Sequence, residues 1–446
     1  MKTPERSLTI DNKIQSHIML KNGTESSTPS TMDRRKSFLK LLSFFKIFGP
    51  GFIVMIADMD AGSIVTAGVS GADWGYKLIL WQVLLIYPLY LVQSITARLG
   101  CVSSKGHGEL IREHYGNFWG AFATAILSFV VFASLLTEFI GIAAAGDIFN
   151  APKYLSVGVS LLILIFVALS GSYKKAENIA LIFALSGFVF IPAAIAARPN
   201  LHDLVIQGIF GSQPILNQNY LWLIAANAGA VIMPWMIYYQ QSATVDKGLC
   251  PKDIKETKID TLIGSIATQV LMIAVIALTA ATLYPHHIVP STAKSLAASL
   301  IPLAGKYAGY FFCAGLYTSS FLAAFVVSMA FSWAATETWG GSHSLNDKFQ
   351  DARSFYIIYI LFLVISAAIV LIPGIPLVRI MVDVEAFNGF ALPVVLAFLI
   401  VLASNKKILG EYAYSKKTLT FIAFLGIVIV VLGVLTSVPP SWIKIL

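Results

Sequence analysis

Two apolar stretches long enough to cross a bilayer are interrupted in the middle, and each interruption carries atoms that bind cations. The first runs Gly49-Pro50-Gly51-Phe52-Ile53-Val54-Met55-Ile56-Ala57-Asp58-Met59-Asp60-Ala61-Gly62-Ser63, and the second Ala230-Val231-Ile232-Met233-Pro234-Trp235. An acid at bilayer depth costs about 2.5–3.5 kcal/mol even on the most forgiving insertion scale. A proline inside a helix leaves the carbonyl four residues earlier without its amide partner. Such backbone is tolerated at that depth only where it is buried in protein or lines a cavity. Two broken spans in corresponding places of two halves are the sequence mark of a mid-membrane binding site.

Composition agrees with a membrane location. Of 446 residues, 57% are hydrophobic and only 12% charged, against about 25% charged in a soluble domain. The apolar runs have the length of helices rather than of barrel strands. The net charge of +8 does not point to nucleic acid, because the basic residues fall in short loops without interleaved aromatics. Cys101, Cys250 and Cys313 have neither metal nor redox spacing and read as inert. The stretch 1–44 reads as a disordered, cytoplasmic N-terminal tail. It has no apolar core of a cleavable signal, so the first membrane helix is expected to be retained. Asn22-Gly23-Thr24 matches a glycosylation sequon, by chance if the tail is cytoplasmic.

Apolar runs set against polar breaks predict an all-α integral membrane protein with about eleven spans, near 47–70, 77–98, 118–148, 154–171, 178–198, 220–242, 261–284, 301–338, 354–373, 376–403 and 418–438. The third and eighth exceed a bilayer thickness and should tilt or protrude. Lys and Arg crowd the ends before span one (Arg34, Arg35, Lys36, Lys40, Lys46) and after spans two, four, six and ten. This places the N-terminus in the cytoplasm and the C-terminus outside, in a plasma or bacterial inner membrane. Spans one and six are both broken and lie five helices apart. A repeat of five spans inverts its second copy, so the plan is a polytopic domain over 45–446 with inverted repeats of about 45–200 and 218–405 and an extra helix at 418–438.

The breaks supply a mixed donor set. Small residues around Gly62 are expected to let the first span unwind beside Asp60, and Ser63 adds a hydroxyl. Pro234 frees the carbonyl of Ala230, and Met233 adds a thioether. A hard carboxylate, two neutral oxygens and one soft sulfur suit a divalent transition ion, whereas Mg²⁺ and Ca²⁺ prefer oxygen alone. No resident cofactor and no obligate protein partner is implied.

Gly49-Pro50-Gly51-Phe52, Met59-Asp60-Ala61-Gly62-Ser63, Gly75-Tyr76, and Gln93-Ser94 with Ala97-Arg98-Leu99-Gly100 resemble the Nramp family of divalent metal transporters. The resemblance runs from about Phe48 to Asn405. That family carries Asp-Pro-Gly-Asn in its first helix and Met-Pro-His in its sixth. The resemblance implies a LeuT-like fold and proton-driven import of Mn²⁺ or Fe²⁺. By position, the metal ligands would be Asp60, Ser63 in place of the Asn, the Ala230 carbonyl and Met233, with the Ala57 carbonyl joining in an outward-open state.

Several positions depart from the family. The family proline is Ala61, and the two histidines of the sixth helix are Trp235 and Gln240. In span three Leu135 replaces an Asp while Glu138 remains, and Ser128 stands where an upstream Glu would be. The usual proton route through spans three and nine therefore reads as dismantled, and Arg353 lies too near the start of span nine to restore it. Counted back from Pro393, Glu385 takes the place of a family Gln near the metal and is expected to be a further ligand or proton acceptor. Arg379 and Asp383, four apart, are expected to share a face and neutralise each other. Asp58 is a second added acid in the first break. Asp58, Glu138, Trp235 and Gln240 are thus the candidates for proton handling or gating.

Two readings of this pattern follow. In one, import of Mn²⁺ or Fe²⁺ is linked to a proton held at the metal site itself. In the other, the chain resembles the family's magnesium branch, with weak or no proton coupling. An amino-acid symporter of the same fold is a third reading, disfavoured because Asp60 would repel a substrate carboxylate. No pore-loop motif or catalytic constellation suggests a channel or an enzyme. His107 and His114 in one loop, and His286 and His287 in another, are expected to be solvated.

Overall fold

In a computed structural model, residues 49–288, 290, 293–372 and 377–437 are described, without side chains for 293–294, 303–304, 377–383, 386, 429–430 and 432–437. The expected N-terminal tail, 1–44, lies outside the described residues, as do the side chains of Arg379 and Asp383. Among the described residues the secondary structure is entirely helical.

In chain order the helices are α1 (Pro50–Ala57), α2 (Ala61–Trp74), α3 (Ile79–Ser103), α4 (His107–Tyr115), α5 (Asn117–Ile148), α6 (Lys153–Ala168), α7 (Tyr173–Ser186), α8 (Phe190–Ala196) and α9 (Leu201–Val205). They continue with α10 (Gln218–Val231), α11 (Pro234–Asp246), α12 (Ile254–Thr282), α13 (Ala293–Ala304), α14 (Lys306–Trp339), α15 (Arg353–Leu371), α16 (Leu377–Ser404), α17 (Lys406–Leu409) and α18 (Lys416–Ser437). Eight helical segments among the described residues are long and apolar enough to cross a membrane, and the bent pair α1–α2 makes a ninth. The fourth expected span, α6, has only 16 residues. The last, α18, is helical over 22 residues, with side chains described for 416–428 and 431. Length and composition alone thus give fewer than the eleven expected.

One expected span divides differently. The run 301–338 is not continuous: Gly305, with φ +88°, ends α13 and starts α14. That positive φ is strained for any residue with a Cβ. α14 nevertheless spans 34 residues and exceeds a bilayer thickness, as expected.

The two broken spans sit at the centre. The most apolar window of Gln218–Asp246 is 89% buried, against 33% for Tyr173–Ala196. α12 packs along α1, α2 and α3, α5 runs along α14, and α10 packs on α16. In hydrocarbon every backbone group needs a partner inside the protein. The ends of short half-helices are therefore the costly places, and candidate site residues lie there.

Candidate functional site

The first span breaks at Asp58–Asp60 and bends by 53°. Asp60 is extended, with φ −80° and ψ 179°, and caps α2 by accepting a 2.7 Å hydrogen bond from the Ser63 amide. This is an ordinary N-cap placed at membrane depth. The Ala61 amide, which in an unbroken helix would donate to the Ala57 carbonyl, donates instead to Glu138 Oε2 of α5 at 3.2 Å. Thr137 Oγ1 donates to the other oxygen of Glu138 at 3.1 Å. The carbonyl of Ala57 therefore lacks its helical donor, which is the condition for a ligand at that position.

The second span breaks at Ile232–Met233. Met233 is extended, and Pro234 opens α11 at a position where its missing amide costs nothing. The carbonyl of Ala230 loses its helical partner, as the proline predicts. It accepts instead from Ser63 Oγ at 3.1 Å. That bond joins the two breaks, so Ser63 and Ala230 are brought together. Asp60, Ser63, Ala230 and Met233 are each completely buried.

Glu385 of α16 reaches the first break from the other side. It is fully buried, and Asn388 Nδ2 donates to its Oε2 at 3.3 Å. A Cβ on Gly62 would stand 2.1 Å from Glu385 Oε1 and 3.0 Å from its Cδ. Gly62 is therefore needed for the close approach of this carboxylate. The expectation that Gly62 unwinds the helix is corrected: Gly62 lies inside α2, and the unwound residues are Asp58 to Asp60. The bend rests on the cap and on the diverted Ala61 amide.

One oxygen each of Asp58, Asp60 and Glu385 is buried without a hydrogen-bond partner. Buried carboxylate oxygens without partners are costly unless a cation or proton meets them. Among the described residues none of the four acids Asp58, Asp60, Glu138 and Glu385 forms an ion pair. Nor do three His, Cys, Asp or Glu side chains among the described residues converge as a metal-holding group. A cation here would depend on carbonyl, hydroxyl and thioether donors beside the carboxylates.

Trp235 and Gln240 are buried on α11. The indole Nε1 of Trp235 donates to Met233 Sδ at 3.1 Å, and Gln240 Nε2 donates to Thr261 Oγ1 of α12 at 2.9 Å. Gln240 is thus tied to α12 by the one bond. Arg353 is the first residue of α15, at the end of the span as expected.

Two features escape the sequence reading. Asp260 of α12 caps α1 from a distance: its Oδ1 accepts from the amides of Gly49 (2.9 Å) and Phe52 (3.2 Å), and its Oδ2 from Gly51 (2.9 Å). Gly49 has no side chain to do this, so the missing cap next to Gly49-Pro50-Gly51 was the only available signal. His107 is the second. It was expected to be solvated, yet it is completely buried. Gln241 Nε2 donates to the Lys105 carbonyl at 2.8 Å, which turns Gln241 Oε1 towards His107 Nδ1, also at 2.8 Å. Nδ1 therefore carries the proton, and burial holds the ring's pKa down at about 4. α4 folds back onto α11, and a loop reading of that stretch cannot show it. His286 and His287 are exposed, as expected.

The chain is similar to several known proteins. A divalent metal cation transporter, MntH, of Latilactobacillus sakei is 30% identical over 241 residues, covering 52% of each chain. The match thus spans about half the length of that relative. A manganese transporter of Eremococcus coleocola, solved with a bis-isothiourea compound, superposes with a TM-score of 0.70 at 19% identity, covering 88% of this chain and 87% of the other. MhsT, solved with L-phenylalanine, superposes with a TM-score of 0.60 at 12% identity, covering 87% and 98%. At these identities the two structures speak for the fold. The model of the natural resistance-associated macrophage protein-like family matches residues 51–439. With nearly all of the helical region matched, the chain belongs to the Nramp family.

Proposed function

We propose that this chain is a secondary transporter that imports a divalent metal cation, Mn²⁺ or Fe²⁺, through a site formed where spans one and six break. One observation carries the reading: unpartnered, fully buried oxygens of Asp60 and Glu385 lie at the break that the Ser63–Ala230 hydrogen bond ties to Met233. Asp60, Ser63, the Ala230 carbonyl, Met233 and Glu385 are the proposed ligands, with the Ala57 carbonyl joining when the first span rearranges. Around them we propose eleven spans in a five-plus-five inverted repeat, in the plasma membrane, with the N-terminus inside.

Proton linkage follows from charge balance. Four buried acids without a cationic partner among the described residues exceed the charge of one dication, so part of that charge is to be met by protons. Glu138, hydrogen bonded to the Ala61 amide, and Asp58 are the proposed carriers. Leu135 offers none. An amino-acid substrate fits less well. The Asp60 carboxylate already occupies the Ser63 amide, one of the free donors that such a carrier offers to a substrate carboxylate. The magnesium alternative is favoured by one observation, the oxygen-rich set that Glu385 completes.

Uptake of Mn²⁺ and of Mg²⁺ into proteoliposomes, each with and without a pH gradient, tests the reading. The expected result is saturable Mn²⁺ uptake that an inward proton gradient accelerates, and its loss in Asp60→Ala by at least about 100-fold, the cost of one charged ligand. Mg²⁺ uptake without Mn²⁺ uptake would move the assignment to the magnesium reading. Undiminished uptake by Asp60→Ala would remove the site.

A further inference from the structure

The thioether of Met233 is already engaged by a neighbour. The indole N–H of Trp235 donates to it at 3.1 Å, and both side chains are completely buried. Residues two apart on a helix do not face each other. These two meet because Met233 stands outside the helix, with φ −92° and ψ 143°, while Trp235 lies in the first turn of α11. The contact is a product of the break. It also removes an otherwise unmet indole donor from a dry interior.

A thioether contributes more to binding a soft ion than a hard one. A hydrogen bond donated to sulfur draws on the same electron density that a metal would use. It also fixes a side chain that otherwise has three rotatable bonds. Both effects bear on the sulfur alone and leave the oxygen donors of Asp60, Glu385 and Ala230 as they are. A soft ion therefore loses more than a hard one.

We propose that Trp235 is a positioning residue that sets the hardness of the centre: by holding and polarising the Met233 thioether, it biases the site towards oxygen-preferring dications and against soft ones such as Cd²⁺. The inference rests on the metal-site reading above and goes beyond it in naming what sets the ion preference.

The test uses the purified full-length chain, with Cd²⁺ and Mn²⁺ affinities measured by titration calorimetry and their competition measured in uptake. Trp235→Phe keeps an aromatic ring and removes the N–H donor. The ratio of Cd²⁺ to Mn²⁺ affinity is expected to rise about three- to tenfold, the scale of one buried hydrogen bond. A purely structural role would weaken both ions together and leave the ratio unmoved. Because Phe is smaller, a second variant carries 3-benzothienylalanine at position 235, which keeps the bicyclic ring but has sulfur in place of the N–H and so cannot donate; the same rise is expected. In a Met233→Leu background neither change should move the ratio. An unchanged ratio in both variants at position 235, or an equal rise without the sulfur, overturns the proposal. A wild-type chain that binds neither ion would overturn the site reading and this inference with it, whereas binding with an unmoved ratio overturns this inference alone.

Discussion

At the scale of single residues, the centre depends on which atoms are kept small. Gly62 admits the Glu385 carboxylate to the first break, since a Cβ there would lie 2.1 Å from Oε1. Glu385 is hydrogen bonded to Asn388, and its Cδ (3.0 Å) and Cγ (3.2 Å) also lie close to that Cβ position, so turning the carboxylate alone does not relieve the contact. Gly62→Ala should therefore destabilise the chain by about 1–3 kcal/mol, the usual cost of overpacking. In a Glu385→Ala background the same change should cost less than about 1 kcal/mol, because the two sites share one contact. Thermal unfolding of the four chains in detergent checks this; equal costs in both backgrounds would show that the two residues do not meet. The glycine was visible in the sequence, and so was the glutamate. Their contact was not, because they are more than 300 positions apart and only the packing of α16 beside α2 joins them.

At the scale of elements, the decisive piece is the eight-residue half-helix α1. A helix this short is unstable in isolation and owes its form to tertiary contacts. Asp260 supplies three of them by accepting the amides of Gly49, Gly51 and Phe52. Lys247 stands beside this cap and is ion-paired to Glu177 at 2.7 Å. Asp260→Ala should leave those amides buried and unmet at a cost of about 1–3 kcal/mol. Hydrogen exchange at Gly51 and Phe52 should accelerate about ten- to a hundredfold, while exchange within α14 stays unchanged. Unaltered exchange at both amides would show that α1 is held by its apolar contacts alone. The helices themselves were legible from hydrophobic run length. The cap was not, because an acid more than 200 positions away carries no local signal.

At the scale of the whole molecule, α4 shows how a loop between two spans becomes part of the core. His107 joins it to α11 through Gln241, and its ring packs edge-on against Tyr238 at 4.8 Å. Burial lowers its pKa to about 4, below the unfolded value near 6.5. The unfolded chain then binds the proton more readily between those values. Its contribution to stability is complete above about pH 6.5 and is lost as pH falls towards 4. Replacing His107 by Gln, which does not titrate, should flatten that part of the stability profile, read as thermal unfolding between pH 7 and 4.5. A slope unchanged by the replacement would place the titrating group elsewhere.

What the sequence determined by itself was the membrane class, the approximate bounds of most spans, the two breaks, and the residue types at each. These follow from local rules: apolar run length, the missing amide of proline, and the cost of a carboxylate in hydrocarbon. The tertiary structure decided how those pieces act together. It joined Ser63 to Ala230, put Glu385 against Gly62, capped α1 with Asp260, buried His107 and turned the Trp235 indole onto the Met233 sulfur. The physical reason is the same in each case. In a low-dielectric interior an unpartnered polar group is costly, and which partner a group meets depends on helices that the chain brings together from far apart.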